Sequence, residues 1–352
     1  MNQTQTTATP KLFIGMDVHK KSWTAHFKTD LFDNKTVTFP PDTSVLINYV
    51  QKHFNDHQVS CCYEAGCCGY WIARNLLKQG WEVKVVNPAD VPRNNKQDWQ
   101  KTDRIDSRNL CKHLSDGNLK GIFIPGEEQE QLRSLFRRRI HLARHLRTIK
   151  NHIKSQLLYF GIKVPEQFDN PNWSRDMKTW IANLQWKFNS GAESMKSRLR
   201  QLEFIWYEQL HISNELRAYC RKHYRKDYYL YKSIPGIGGI TAAAILSELG
   251  DIRRFNRLDE LAAIVGLVPG IYQSSENKIN LGLTKRSNHQ LRSLLVEASW
   301  VAVRSDMALQ QYYRKHALKE PNKAIIKVAH KLLSRMRAVI NSGIPYQEGI
   351  IK

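Results

Sequence analysis

Nowhere does the 352-residue sequence approach the roughly 18 consecutive apolar residues of a membrane-spanning helix, and no amphipathic lipid anchor stands out, so a membrane is excluded as its partner. The opening residues, Met1 to Leu12, hold no apolar signal core and read as a short unstructured lead, which makes the cytoplasm the expected location. No Gly-Lys-Ser/Thr ending follows any glycine-rich stretch, so no nucleotide cofactor is expected. No internal repeat of fixed period appears. Cysteines number six, and four of them, Cys61, Cys62, Cys67 and Cys68, flank Tyr63-Glu64-Ala65-Gly66. A structural zinc site would bring a second ligand pair from a distant motif, and none exists, so these are expected to be reduced, half-buried residues at a strand end. Acidic residues are also scarce. Lys plus Arg total 54 against 32 Asp plus Glu, a formal charge of +22, more than solubility requires, and a polyanion is the expected partner.

The length exceeds the roughly 250–300 residues at which one core stops growing, which implies two or three domains. Leu12 to Ile14 runs apolar into Gly15-Met16-Asp17, Trp23 to Phe27 alternates as a second strand would, and Thr36 to Phe39 as a third. A helix over Ser44 to His53 follows. Next come a strand over Val59 to Tyr63 ending on Glu64, a helix from Tyr70 to Gln79, and a strand from Trp81 to Val86 closed by Asn87-Pro88. Strands first, then alternation, predict an α/β domain at 10–130 with a mixed sheet and helices on its faces.

No acidic residue lies between Gln131 and Pro165. Arg133, Arg137, Arg138, Arg139, Arg144, Arg147, Lys150 and Lys154 share that stretch with an apolar stripe of Leu135, Leu142, Leu146, Ile149, Ile153 and Leu157. The pattern predicts a long basic helix, coiled-coil in character. Ala192 to Tyr224 would return antiparallel to it after a turn-rich break at Asp169 to Trp173, making a helical region at 131–227. A solvated face is the bland explanation of such a run; cations with no acid to balance them favour contact with phosphates. The remainder, 228–345, reads as a small, basic, mainly α domain with helices at Ile240 to Leu249, Leu258 to Ala263, His289 to Arg304, Ala308 to His316 and Lys323 to Ile340.

Four carboxylates stand out from scattered surface acids. Asp17 closes an apolar strand, Glu64 holds the matching place after another, and Asp103 and Asp106, spaced i, i+3, project from one face of a helix beginning near Thr102. Acids brought together repel, and divalent cations are the ordinary remedy; Mg²⁺ suits all-oxygen sites and in-line displacement at phosphorus. Three strands, two strand-end acids and a later acid pair are the ribonuclease-H-like arrangement. Ile234-Pro235-Gly236-Ile237-Gly238-Gly239 reads as a glycine hairpin between helices, similar to a helix-hairpin-helix, able to offer backbone N–H groups of Gly236 and Gly238 to a phosphate or to serve as a tight turn alone. Ser274 and Ser275 lie in a polar loop near Lys285, Arg286 and Arg292, cations that could hold a phosphate under serine attack.

Gly15-Met16-Asp17-Val18-His19-Lys20, Tyr63-Glu64-Ala65, Lys101-Thr102-Asp103-Arg104-Ile105-Asp106-Ser107 and the stretch from Ile234 through Ser299 together resemble, in order and spacing and over nearly the whole chain, the DEDD-type transposases of insertion sequences, the bridge-RNA-guided recombinases. The resemblance implies a RuvC-like domain, a coiled-coil insertion used in assembly, and a C-terminal transposase domain with a nucleophilic serine. It carries the four acidic positions to Asp17, Glu64, Asp103 and Asp106, with Mg²⁺ as the metal and Mn²⁺ as the alternative. Family members commonly show Ser followed by Gly, where this chain has Ser274-Ser275-Glu276; aligning the glycine with Glu276 selects Ser275, with Ser274 the alternative. A covalent phosphoserine–DNA intermediate is implied, in a composite centre built by two subunits of a dimer or tetramer. Donor and target double-stranded DNA and a structured guide RNA are the implied partners. The rivals are a RuvC-like junction nuclease using water and a non-catalytic nucleic-acid scaffold.

Overall fold

The computed structural model describes residues 9–92, 102–170, 173–274, 277–284, 286–318 and 320–348. They divide into two compact units, Met1–Gly126 and Glu127–Lys352.

The first unit is built on five strands: β1 (Lys11–Val18), β2 (Trp23–Thr29), β3 (Asp33–Phe39), β4 (Gln58–Glu64) and β5 (Glu82–Val86). Their order in the sheet is β3-β2-β1-β4-β5, with the first three antiparallel and β1, β4 and β5 parallel. This is the mixed, ribonuclease-H-like sheet that the sequence predicts. Helix α1 (Thr43–His53) follows β3, and α2 (Trp71–Leu77) crosses from β4 to β5. Period-two alternation sends Leu12, Ile14 and Met16 to one face, where they are fully buried among Leu46, Ile72, Leu76 and the inward residues of β2 and β4. Phe13, Gly15 and Asp17 alternate to the other face, under α3 (Asp103–Ser115), where Phe13 joins a cluster with Cys62, Val86, Leu110 and Leu114. Helix α3 can lie on β1 because residue 15 is glycine: a Cβ there would come within 2.2 Å of the Cys111 nitrogen and 2.3 Å of the Ser107 carbonyl oxygen.

Among the described residues, the second unit is built of helices and one hairpin. Helix α4 (Glu127–Tyr159) is followed by α5 (Arg175–Ala182), α6 (Asn189–His223), α7 (Arg225–Lys232), α8 (Gly239–Leu249) and α9 (Leu258–Val265). The hairpin β6 (Pro269–Ser274) and β7 (Asn277–Leu283) leads to α10 (His289–Ser305), α11 (Met307–Ala317) and α12 (Pro321–Ser342). The stretch read as a polar loop is therefore an antiparallel hairpin, with Tyr272 paired to Ile279 and Ser274 to Asn277. Helix α8, with Ala242 to Leu246 all buried, is the middle of the C-terminal core; its small side chains let α4, α6, α7 and α10 approach.

The first turns of α4 belong to that same core through Leu132 and Phe136, whereas Leu142 to Leu157 pack with α5 and α6 in a separate cluster. The stripe along α4 thus differs from the predicted one in its first half. Leu135 is only partly buried, Leu132 and Phe136 are inside, and the next seam position, seven beyond Leu132, is Arg139. Truncating Phe136, fully buried, would cost about 3–5 kcal/mol.

Candidate active site

Parallel pairing of β1 with β4 sets Met16 opposite Tyr63, so Asp17 and Glu64 are the next residues along, at adjacent strand ends and on the α3 face of the sheet. Helix α3 begins at that edge. Thr102 caps it by accepting from the Ile105 N–H, and Asp103 and Asp106 occupy its first turn. Acids in a first turn are favoured by the helix dipole whatever their use. What sets Asp103 apart is its convergence with Asp17 on a third residue. The imidazole Nε2 of His19 stands 3.3 Å from the Asp17 carboxylate and 3.7 Å from that of Asp103. Among the described residues, ligand atoms of Asp17, His19 and Asp103 all lie within 4.8 Å of one another, and neither Glu64 nor Asp106 is in that group.

Burial raises the Asp17 carboxyl above the ordinary carboxylate range, His19 opposes the shift, and the negative charges of Asp103 and Asp106 add to it. The side chain is about one-fifth exposed, so a cation would be the cheapest way to keep it ionised. Two carboxylates and an imidazole could hold a divalent ion; Asp106 adds negative charge beside Asp17, and strand pairing brings Glu64 to the neighbouring strand end without placing it in the group. The nitrogen donor suits Mn²⁺ better than the all-oxygen set inferred for Mg²⁺. His19 was in the motif but carried no assigned role; its signal was the Asp-x-His spacing, which places both side chains on one face where β1 ends.

Of the four cysteines around Glu64, only Cys68 is half-buried as expected: Cys61 and Cys62 are fully buried on opposite sheet faces, with the Cys62 thiol donating to the Leu110 carbonyl, and Cys67 is exposed.

The basic residues divide. Arg137 is bound to Glu248 of α8, which answers the missing acid from within the same unit. Arg139 lies in the α4–α6 seam, where Nε donates to Ser213 Oγ at 3.1 Å, and burial, with the nearby charge of Arg217, lowers its pKa. Both therefore have protein partners, which the sequence did not reveal, and about half of the Arg137 side chain stays exposed. Arg138, Arg144 and Arg147 are exposed; Lys150 stands over the Trp173 ring and Lys154 lies 4.0 Å from Asp169. Arg292 donates to the carbonyls of Gly266 and Thr284, tying the start of α10 to the base of the hairpin. Arg286 is exposed, and Lys285 falls outside the described residues. Gly236, at φ +81°, is required for packing: a Cβ would meet the Ala298 carbonyl oxygen at 2.1 Å, which favours the tight-turn reading there. Gly238 caps α8 with open space beside it. Of the two serines, Ser274 ends β6, and Ser275 lies outside the described residues.

A family model described as "Transposase", of the DEDD transposases of IS110 elements, matches residues 14–161, and one described as "Transposase IS116/IS110/IS902 family" matches 228–314. The chain belongs to the DEDD-type transposases of insertion sequences. A Sinorhizobium fredii protein provisionally named transposase y4qE is 27% identical over 79% of this chain and 66% of its own length. The transposase for insertion sequence element IS1111A of Coxiella burnetii is 26% identical over 70% and 67%. The pilin gene-inverting protein of Moraxella lacunata is 25% identical over 97% and 99%. The matches to the first two relatives thus span about two thirds of their lengths.

Proposed function

We propose that the chain is the recombinase of an insertion sequence, cutting and rejoining DNA strands at the acidic site of its first unit. The observation that carries this reading is the convergence of Asp17, His19 and Asp103 at the strand ends of a ribonuclease-H-like sheet. The likeness to a protein named for gene inversion supports rejoining as well as cutting, because inversion must seal each cut end to a new partner.

A divalent cation, Mg²⁺ or Mn²⁺, held by Asp17 and Asp103 with His19, and with Glu64 and Asp106 nearby, would supply positive charge to the oxygens around phosphorus. The protein's own covalent part falls to Ser275. Its hydroxyl oxygen displaces a deoxyribose oxygen at phosphorus, forming a phosphoserine ester and freeing a strand hydroxyl, which takes up a proton. Attack on that ester by the hydroxyl of another strand releases the serine and reseals the DNA. One ester is exchanged for another, so no ATP is consumed, whereas hydrolysis would forfeit the bond energy. The cation excess fits DNA and a structured guide RNA as partners, in a dimer or tetramer acting in the cytoplasm.

The test is a nicked substrate whose cleaved end diffuses away, leaving the adduct trapped. A covalent protein–DNA species mapped to Ser275 and lost in Ser275→Ala is the expected result. Mapping to Ser274 moves the assignment by one residue. Metal-dependent cleavage with no adduct replaces this reading with the nuclease that uses water.

A further inference from the structure

The second unit holds a cavity of about 830 Å³ among α4, α5 and α6, and none of its lining belongs to the acidic site or to the serine hairpin. Two kinds of side chain make its walls. Trp206 and Tyr207 on α6 are 44% and 63% exposed, an unusual cost for large rings, and stand edge to face with centres 4.9 Å apart. Trp173, just before α5, is the third ring. Each tryptophan is accompanied by an amine: Lys150 lies 5.6 Å from the centre of Trp173, and Lys178 lies 5.5 Å from that of Trp206. Arg175, Lys196 and Arg200 add cations to the lining, and the one carboxylate there, Glu203, is 4.0 Å from Lys178.

These features narrow the occupant. An apolar protein surface docked here would strip water from five cations, of which Lys178 and Lys196 have an acid beside them, Glu203 at 4.0 Å and Glu193 at 3.0 Å, a heavy desolvation cost. A double helix keeps its base faces covered by stacking and could use the charges but not the rings. An unpaired nucleotide offers both a flat face and a phosphate, and the volume lies within the roughly 300–1,000 Å³ of sites that take small ligands. We propose that this cavity binds an unpaired segment of nucleic acid, a base stacking on Trp206 and Tyr207 while the lysines and arginines around them hold its phosphates. This rests on nucleic acid being the substrate class, as argued above, but not on the serine or metal chemistry.

The experiment compares binding of the full chain to a fluorescent oligothymidine of about eight nucleotides, a length within the usual range for such sites, and to a blunt duplex of equal length at the same salt. Replacing both rings, Trp206→Ala with Tyr207→Ala, should weaken single-strand binding about fivefold or more and change duplex binding by less than about twofold. Trp206→Phe, which keeps a stacking face, should restore most of the loss, and ultraviolet cross-links should map to α6. Equal loss on both substrates, or none on the single strand, overturns the proposal. A change of oligomeric state with single-strand binding intact assigns the face to a second copy instead. Adduct formation on nicked DNA, measured in parallel, reports separately on the recombinase reading.

Discussion

Arg137 on α4 grips Glu248 on α8 with both sides of its guanidinium, Nε to Oε1 at 2.9 Å and Nη2 to Oε2 at 3.2 Å. Glu248 is almost fully buried, and it also receives Arg133 at 3.5 Å and the Asn288 amide at 3.0 Å. A cation run without local acids is thus balanced in part by a carboxylate 111 positions further on, brought back by the fold.

Arg137→Ala should therefore act on stability. A buried carboxylate loses one partner and keeps two, and Arg137 itself is half exposed, so the expected loss is roughly 1–2 kcal/mol, read as a lower urea midpoint. The salt dependence of DNA binding should not change. Unaltered stability with a flatter salt dependence would return Arg137 to the phosphate-binding surface.

Arg138, Arg144 and Arg147 keep their heads in solvent and remain the candidates for backbone phosphates. Each contact removed by an alanine substitution should flatten the slope of log affinity against log salt by about 0.7 for single strands and 0.9 for duplex. A triple variant with the wild-type slope would leave this face merely solvated.

Asp306 gives the C-terminal core a pH dependence. Burial would push its carboxyl up, but hydrogen bonds from the Tyr346 hydroxyl and the Leu309 N–H, together with the Arg335 charge, outweigh that and hold it below the ordinary value. A folded pKa below the unfolded one means that the stabilisation is complete above the unfolded value, near 4, and is lost as pH falls through the folded one. Asp306→Asn should melt lower than wild type at pH 7, with the gap closing as acid is added below about pH 4. A gap that is constant with pH would show that the network's worth does not depend on the carboxylate charge.

The sheet was legible because its strands obey a period of two and end on turn residues, and each predicted strand of the first unit has its counterpart. Gly15 could be named as part of a motif, but its reason, the Ser107 and Cys111 backbone directly above it, lies 92 and 96 residues on and is invisible to local pattern. The hairpin β6–β7 was hidden for a different cause. Strand β6 carries Pro269, Gly270, Gln273 and Ser274 and shows no alternation, and the period of two in β7, Ile279, Leu281 and Leu283 against Lys278, Asn280 and Gly282, is easily passed over beside the polar Ser274 to Asn277 stretch. Helix α7 escaped because Arg225-Lys226-Asp227 opens it like a charged linker, although Tyr228, Leu230 and Tyr231 are buried. The arginines misled where charge was counted along the chain rather than through space.

The acidic site makes a prediction that separates ligands from neighbours. Asp17→Asn and Glu64→Gln remove charge at constant volume, so both should abolish strand exchange while leaving DNA binding largely intact; either variant recombining at the wild-type rate sinks its residue's assignment. His19 is the more discriminating case. If its nitrogen coordinates the ion, as its 3.3 and 3.7 Å approaches to Asp17 and Asp103 allow, the chain should prefer Mn²⁺ to Mg²⁺, since imidazole gains more from the former. His19→Ala should then weaken Mn²⁺ binding, followed by electron paramagnetic resonance of the free ion, by at least about tenfold, a loss that even an outer hydrogen-bonding partner can cause. Mg²⁺ binding should suffer less, because carboxylates and water satisfy that ion without nitrogen. If His19 only neutralises Asp17, its removal should instead leave the Mn²⁺ preference where it was or strengthen binding of both ions, because a competing positive group has gone from beside the carboxylates.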